Sequence, residues 1–124
     1  MHILVLGAAG MVGRKLLERL ARDGRLGGRE ITRATLHDVV EPSAPDGASF
    51  QTEASASDFA QPGEAERLIA DRPDVIFHLA AIVSGEAEAD FEKGDRINLD
   101  GTRFLFDAIR RIEGYTPRVG FTSS

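Results

Sequence analysis

The segment ILVLGAAGMVGRK (residues 3–15) runs from four apolar residues through three glycines, spaced by three, into an amphipathic sequence. Four successive apolar residues are typical of a strand buried on both faces, as in parallel sheets covered by helices. Apolar residues then recur every four positions at Val12, Leu16 and Leu20, so we expect a helix over residues 11–23. A buried strand that turns directly into a helix is the first unit of an alternating α/β sheet.

The rest of the sequence continues this alternation, with prolines and glycines between the periodic segments. After a first strand over 2–6, we expect strands over 31–37, 49–54, 74–81 and 118–124, helices over 63–72 and 96–111, and a loop over 23–28. Pro62 is expected to open the second helix and Pro73 to end it. The alternation predicts an α/β fold with a doubly wound (Rossmann-type) parallel sheet in strand order 3-2-1-4-5, truncated after the fifth strand. Its last two helices should bury the apolar or small residues Ala65, Leu68, Ile69, Ile97, Gly101, Phe104, Leu105, Ala108 and Ile112.

The composition is typical of one globular domain and excludes some classes of binding partner. The 124 residues carry a formal net charge of −5, so neither nucleic acid nor an anionic membrane is an expected partner. The absence of cysteine excludes disulfides, thiolate metal sites and a cysteine nucleophile, and three scattered histidines give no metal cluster. No apolar run approaches the ~20 residues of a membrane span, and no signal peptide is recognised. A cytoplasmic protein is therefore expected.

The three glycines each have a geometric reason in such a sheet. The first turn lies where a crevice opens beyond the strand ends, and an anion there meets free N–H groups at the start of a helix. Gly7 can adopt the positive φ of a tight turn, a Cβ at Gly10 would hold a diphosphate away from the backbone, and Gly13 allows close helix packing. A P-loop is excluded because Val12 stands where its second glycine is required. The pattern predicts a dinucleotide diphosphate here; the alternative is an ordinary glycine-rich loop.

Asp38 is expected at the end of the second strand, beside the glycine turn. A carboxylate there can accept hydrogen bonds from both ribose hydroxyls of an adenosine, which is the role of the acid in dinucleotide-binding folds. The same charge would repel a 2′-phosphate, so NAD is predicted rather than NADP. The alternative is that Asp38 is a turn or capping residue.

These residues also resemble a known family. The glycine segment GAAGMVG, Asp38, SDF (57–59), HLAA (78–81) and NLDGT (98–102) resemble the motifs of the extended short-chain dehydrogenase/reductases, the NAD-dependent epimerase/dehydratase group. The final FTSS is similar to the strand that carries the catalytic serine of that family. Within the family, the segments HLAAIVSGEAEADFEKG and RINLDGTR are most similar to those of enzymes acting on sugar acids, D-erythronate dehydrogenases among them.

The resemblance implies a role for each matching position. Met11 and Val12 would contact the diphosphate through their N–H groups, Asp58 would accept from the adenine amino group, and the Phe59 main chain would lie beside the ring. Ser124, and less favourably Ser123, would hydrogen-bond the reacting oxygen of the substrate. Further positions would lie along the cofactor or the substrate: Leu79, Ala80, Ala81 and Asn98 for the cofactor, Ser84 and Gly85 for the substrate.

Several of these positions have a structural alternative. Asp58 could instead cap a helix, Asn98 could be a polar residue on a helix surface, and core packing is preferred for Leu79. His78 lies in an apolar strand and is interpreted as a structural, hydrogen-bonded histidine rather than an acid or base.

One departure from the family pattern concerns catalysis. The resemblance implies an ionised tyrosine that takes the hydroxyl proton, with a lysine four residues later that lowers its pKa. Tyr115 is the one tyrosine of the chain, and Val119 stands where that lysine is required. We therefore expect residues 1–124 to be the N-terminal part of the dinucleotide-binding domain, without the substrate lobe, and to be inactive by themselves.

Three hypotheses follow from the sequence. The first is the cofactor-binding part of an NAD-dependent oxidoreductase acting on a sugar acid or nucleotide sugar. A nucleotide-sugar epimerase or dehydratase of the same family is an alternative form of this hypothesis. The second is a dinucleotide-binding sensor that lacks the chemistry, and the third is a scaffold without cofactor. The resemblance also implies a homodimer through the long helix, to which Leu99 and Phe106 could contribute.

Overall fold

The computed structural model describes residues 1–58, 61–79 and 102–121, and within them the predicted strands and helices follow one another in the predicted order. The helices are α1 (Met11–Asp23), α2 (Glu64–Ile69) and α3, whose described part spans residues 102–111. The strands are β1 (His2–Leu6), β2 (Arg25–Leu26), β3 (Arg29–Glu30), β4 (Arg33–Asp38), β5 (Gln51–Ala56), β6 (Val75–His78) and β7 (Arg118–Phe121).

Five strands form one parallel sheet in the order β5-β4-β1-β6-β7. Numbered by the five predicted strands, this is the order 3-2-1-4-5, so the predicted doubly wound fold is confirmed. In the register of the sheet, Leu6 at the end of β1 is level with His37 of β4 and with His78 of β6. The three central strands therefore end together, and the carboxyl edge of the sheet is where a crevice opens.

The sheet is covered on both faces by separate apolar clusters. Because side chains alternate along a strand, β1 contributes to both clusters, and Ile3, Leu4, Val5 and Leu6 are all fully buried. One cluster packs α1 on β1 and β4 through Leu17, Leu20, Ala34 and Leu36, and the other packs α2 and α3 on β1 and β6 through Leu68, Ile69, Ile76, Leu105 and Ala108.

Of the three apolar residues whose period predicted α1, only Leu20 is buried. Gly13, Leu17, Leu20 and Ala21 are buried, whereas Leu16 is half-buried and Val12 is exposed. The spacing of four was correct, but the face is turned by one residue because Gly13, rather than Val12, packs against the turn after β1. In α2 the predicted Ala65, Leu68 and Ile69 are buried. Phe104 in α3 and Ile112, directly after it, pack partly buried against Leu105 and Ala108.

The helix α2 begins one residue after the predicted position and ends three residues before the predicted end. Gly63, with φ 87°, is the N-cap, so the helix begins at Glu64 and Pro62 lies before it. The helix ends at Ile69 because the chain turns away from helical geometry before Pro73. Arg72 adopts a left-handed φ of 52°, and its N–H donates to the Ile69 carbonyl over 2.9 Å.

Part of the predicted loop after α1 is a small hairpin. The strands β2 and β3 pair antiparallel around Gly27 and Gly28, whose φ values of 59° and 82° match the turn type that requires positive φ at both positions. The β4 and β5 strands each begin two residues later than expected. The predicted helix residues 96–101, which include Ile97 and Gly101, and the strand residues 80–81 and 122–124 lie outside the described residues.

In the part of the chain that the structure describes, no helix combines the length and the apolar character that crossing a bilayer requires.

Candidate functional site

The turn after β1 is held by the end of β4. Gly7 has φ 92°, as predicted for the tight turn. The N–H groups of Gly7 and Ala8 both donate to the carbonyl oxygen of His37, over 2.8 and 3.0 Å, and the N–H of Gly10 donates to the Gly7 carbonyl over 3.2 Å. The turn therefore has a fixed shape, which is what a backbone cradle for an anion requires.

Gly13 and Gly10 lack a side chain for different reasons. A Cβ at Gly13 would overlap the Gly7 carbonyl oxygen and approach the Cα of Ala8 to 2.9 Å, which confirms that Gly13 allows α1 to pack closely on the turn. A Cβ at Gly10 would meet the Gly7 carbonyl oxygen at 3.4 Å, an ordinary contact. The fold itself thus tolerates a side chain at Gly10, and its predicted role toward a diphosphate stays a prediction.

The start of α1 suits an anion electrostatically. Gly10 is its N-cap without a side-chain hydrogen bond, and its first turn contains no acidic residue. The positive end of the helix dipole and the N–H groups of the first turn are therefore not neutralised by an acid or a cap of the helix itself. Met11 and Val12, the predicted diphosphate contacts, occupy this turn with their side chains exposed.

Asp38, at the end of β4, is hydrogen-bonded to the turn after β1. Its Oδ2 accepts a hydrogen bond from the N–H of Ala9 over 2.9 Å, and its Oδ1 accepts from the N–H of Val39 over 2.7 Å. The contact with Val39 is the local turn contact of the alternative interpretation, but the contact with Ala9 points the carboxylate toward the glycine turn. A carboxylate has about four acceptor positions, so two further donors, such as ribose hydroxyls, can be accommodated.

The exposed large apolar side chains of the described residues all lie at this edge. Met11 and Val12 are 75% and 41% exposed at the start of α1, and Val39 and Val40 are 69% and 60% exposed directly after β4. Large apolar side chains left in water at one place are a common mark of a binding site. Val39 and Val40 were not predicted as site residues, although two valines directly after a candidate ribose-binding acid are a visible signal in the sequence.

The other predicted cofactor residues are placed in part. Gly63 is the N-cap of α2, so Asp58 does not cap that helix; its carbonyl accepts from the N–H of Gln61 over 3.0 Å. Leu79 is buried in the core, and its N–H donates to the Leu6 carbonyl over 2.8 Å, which agrees with the core-packing interpretation. The remaining predicted site residues lie outside the described residues: Phe59, Ala80, Ala81, Ser84, Gly85, Asn98, Ser123 and Ser124.

His78 and Tyr115 have structural partners. His78 is fully buried, its Nε2 lies 2.8 Å from the Oγ1 of Thr102, and burial lowers the pKa of its imidazole. The hydroxyl of Tyr115 donates to the carbonyl of Pro73 over 2.6 Å, and burial raises the pKa of Tyr115 to about 12. Pro73 precedes β6, so Tyr115 lies at the end of the sheet opposite the glycine turn.

Comparison with known proteins agrees with this geometry. A family model described as the NAD dependent epimerase/dehydratase family matches residues 3–124. The chain is 41% identical to the D-erythronate dehydrogenase of Cupriavidus necator, over 100% of this chain and 39% of that protein. These matches confirm the predicted family resemblance.

Two solved structures extend the comparison. The nucleoside-diphosphate-sugar epimerase from Agrobacterium tumefaciens is 64% identical with a TM-score of 0.91, over 100% of this chain and 37% of that one. The uronate dehydrogenase from Agrobacterium tumefaciens, solved with NAD, is 30% identical with a TM-score of 0.66, over 99% of this chain and 40% of that one. The chain thus spans about two fifths of the length of these relatives. NAD as the predicted cofactor is confirmed at the level of the family.

Proposed function

Because this chain belongs to the NAD dependent epimerase/dehydratase family, we propose that residues 1–124 are the dinucleotide-binding part of an NAD-dependent oxidoreductase. The observation that carries the proposal is the 2.9 Å hydrogen bond from the Ala9 N–H to the Asp38 carboxylate. It brings an acid that can bind ribose hydroxyls to the turn that can bind a diphosphate. Both parts of an adenosine diphosphate thus find a partner at one edge of the sheet.

The proposed placement of NAD follows from this edge. The diphosphate lies against Gly7, Gly10 and the N–H groups of the first turn of α1, and the adenosine ribose lies on Asp38. Asp58 follows β5, the strand next to β4, so its carboxylate is proposed for the adenine amino group. Four further positions from the family resemblance complete the proposed cofactor site: Phe59, Ala80, Ala81 and Asn98. The side chain of Leu79 packs in the core.

We propose a hydroxyl group of a sugar acid as the site of oxidation. The similarity to D-erythronate dehydrogenases supports this substrate class, since two of them are 41% and 32% identical over the whole chain. NAD would accept the hydride, while Ser124 would hold the reacting oxygen and Ser84 and Gly85 would contact the substrate. The 124 residues contain no tyrosine–lysine pair at the family spacing, so we propose that they have no turnover by themselves.

A nucleotide-sugar epimerase is a second candidate, favoured by the 64% identity to the nucleoside-diphosphate-sugar epimerase. The two reactions differ in their net chemistry. A dehydrogenase releases NADH in proportion to product, whereas an epimerase returns the hydride and leaves the amount of NAD unchanged.

The test begins with calorimetric titration of the protein with NAD. Binding is expected, and its absence would overturn the proposed function. The full-length protein that contains residues 1–124 is then incubated with NAD and either D-erythronate or a UDP-sugar, while NADH absorbance and the sugar isomers are followed. NADH formation supports the dehydrogenase, isomer exchange without net NADH supports the epimerase, and binding without either reaction supports the non-catalytic sensor.

We also propose a homodimer formed through the long helix, where Phe106 is half-buried on α3. Sedimentation velocity of the protein tests this, and a monomer at micromolar concentration would contradict it. A cytoplasmic location remains a proposal made from the sequence alone.

A further inference from the structure

The imidazole of His37 is buried, one residue before the proposed ribose-binding Asp38. His37 precedes Asp38 in β4, and its side chain, 1% exposed, points to the opposite face of the sheet. Its Nε2 lies 2.9 Å from the Oγ of Ser57, and its own carbonyl holds the N–H groups of Gly7 and Ala8. His37 thus contacts the glycine turn through its carbonyl oxygen and contacts Ser57 through its imidazole.

Ser57 continues this connection in two directions. Its N–H donates to the carbonyl oxygen of Asp38 over 3.0 Å, so it also fixes the backbone of the proposed ribose-binding residue. Its Oγ accepts from the Nη2 of Arg67 in α2 over 3.3 Å. Arg67 is in turn oriented by Glu64, whose Oε2 accepts from its Nε over 2.6 Å, and by the Oγ of Ser55 at 3.1 Å.

We propose that His37 is a positioning residue for NAD. Its hydrogen bond to Ser57 fixes the end of β4, and this strand end holds both the glycine turn and Asp38 in place. This rests on the proposed function, because it assigns a support to the same site. His37 touches neither the turn's ligand face nor the reacting atoms, so it acts through its own carbonyl and through Asp38.

Burial and the guanidinium of Arg67 favour the neutral form of the His37 imidazole. Burial lowers the pKa of His37, and the guanidinium of Arg67 lowers it further, while Asp38, Glu64 and the hydrogen bond of Ser57 oppose the shift. Protonation would place a second cation against Arg67 in a buried position. Because the pKa of His37 lies below the ordinary 6.5, its imidazole is neutral at pH 7. The support that His37 gives to the end of β4 weakens as the pH falls through this lowered pKa.

The chain offers a matched control in His2. Its Nε2 lies 2.8 Å from the Oγ1 of Thr35. Thr35 and His37 are two residues apart in β4, so their side chains lie on the same face of the sheet. The pKa of His2 is also lowered by burial. The His2 pair differs from the His37 pair in lying at the amino end of the strands, away from the glycine turn.

The first measurement needs no cofactor. Amide hydrogen exchange at Gly7 and Ala8 is compared by NMR between the wild-type protein and the variants His37→Leu, His37→Gln and His2→Gln. His37→Leu is expected to exchange these two amides roughly tenfold faster, because the carbonyl that accepts their hydrogen bonds is no longer fixed. His37→Gln can still bond Ser57 and should exchange nearly as the wild type, as should His2→Gln. Unchanged protection in a folded His37→Leu variant would overturn the proposal.

The second measurement is the affinity for NAD between pH 5 and 8. At pH 7, His37→Leu should raise the Kd about fivefold, the effect of one lost neutral hydrogen bond. The wild type and His2→Gln should lose affinity as the pH falls from 6.5 through the lowered pKa of His37, whereas His37→Gln should not. A wild type that binds NAD, with a pH profile that His37→Gln leaves unchanged, would overturn the inference alone. A wild type that binds no NAD would overturn the proposed function, and the exchange measurement would still decide whether His37 positions the turn.

Discussion

The Oδ2 of Asp38 lies 2.9 Å from the backbone nitrogen of Ala9, so the acid that ends β4 is hydrogen-bonded to the turn that follows β1. Ala9 stands between the two glycines whose backbone is proposed to bind a diphosphate. The carboxylate is therefore already oriented toward the turn before any ligand arrives. Orientation of this kind reduces the ordering that binding would otherwise require.

Asp38→Asn should weaken NAD binding more than NADP binding. An amide offers one acceptor oxygen in place of two charged ones, so a bond to the ribose is lost, and hydrogen bonds to charged groups contribute roughly 1.5–3 kcal/mol. We expect the Kd for NAD to rise about tenfold or more in calorimetric titration, while NADP is relieved of charge repulsion. Asp46→Asn, in the exposed loop after β4, is the matched control and should change neither affinity. An equal loss for both cofactors would count against the ribose assignment.

Alanine at the second and third glycines should separate ligand binding from stability. Gly13→Ala places a Cβ against the Gly7 carbonyl and 2.9 Å from the Cα of Ala8. Backbone atoms cannot move aside cheaply, so the free energy of unfolding should fall by about 1–3 kcal/mol. Gly10→Ala makes a contact of 3.4 Å and should unfold at nearly the wild-type urea concentration but bind NAD much more weakly. The reverse order of the two effects would contradict the assigned roles.

Tyr115→Phe should destabilise the fold without affecting NAD binding. The variant removes the 2.6 Å hydrogen bond to the Pro73 carbonyl, which should cost about 1 kcal/mol in urea unfolding. The wild-type stability should also fall at high pH. The pKa of Tyr115 is raised to about 12, against about 10 in the unfolded chain, so its contribution is complete below pH 10 and is lost as the pH rises toward 12. As the chain has a single tyrosine, its ultraviolet titration gives the folded pKa directly, and a value near 10 would refute the burial argument.

His78 should make the stability depend on pH in the opposite direction. Burial lowers the pKa of its imidazole in the folded state, so the stability it contributes is present above about pH 6.5 and is lost as the pH falls through the folded value. In His78→Asn the free energy of unfolding should decline less steeply between about pH 6.5 and 5. The slope is measured by urea unfolding at several pH values, and a slope equal to that of the wild type would show that His78 does not titrate differently on folding.

The sequence was sufficient for the sheet and for the glycine turn. The bounds of β1 and α1 were predicted because an apolar run and a four-residue period are signals of local origin, and Gly7 and Gly13 follow from backbone sterics. The hairpin around Gly27 and Gly28 was missed because strands of two residues have no period. The end of α2 was wrong because Arg72 takes a left-handed conformation, which is uncommon for a residue other than glycine.

Other features depended on the register between distant segments. Gly13 and not Val12 is buried in α1, because the contact of Gly13 with the turn, rather than the apolar period alone, sets the orientation of the helix on the sheet. The link from His37 through Ser57 to Arg67 joins residues up to 30 positions apart, and each of them is an ordinary polar residue in the sequence. Only the parallel pairing of β4 with β5, which places His37 level with Ser55, brings these side chains together.

The central place of β1 has a consequence for synthesis on the ribosome. β1 leaves the exit tunnel before both of its neighbours in the sheet, which are β4, starting at Arg33, and β6, ending at His78. At roughly 5–20 residues per second, the second edge of the most apolar strand waits several seconds for its partner. During that time the unpaired edge of β1 can pair with a wrong strand, so we expect a chaperone that shields nascent chains to bind at β1.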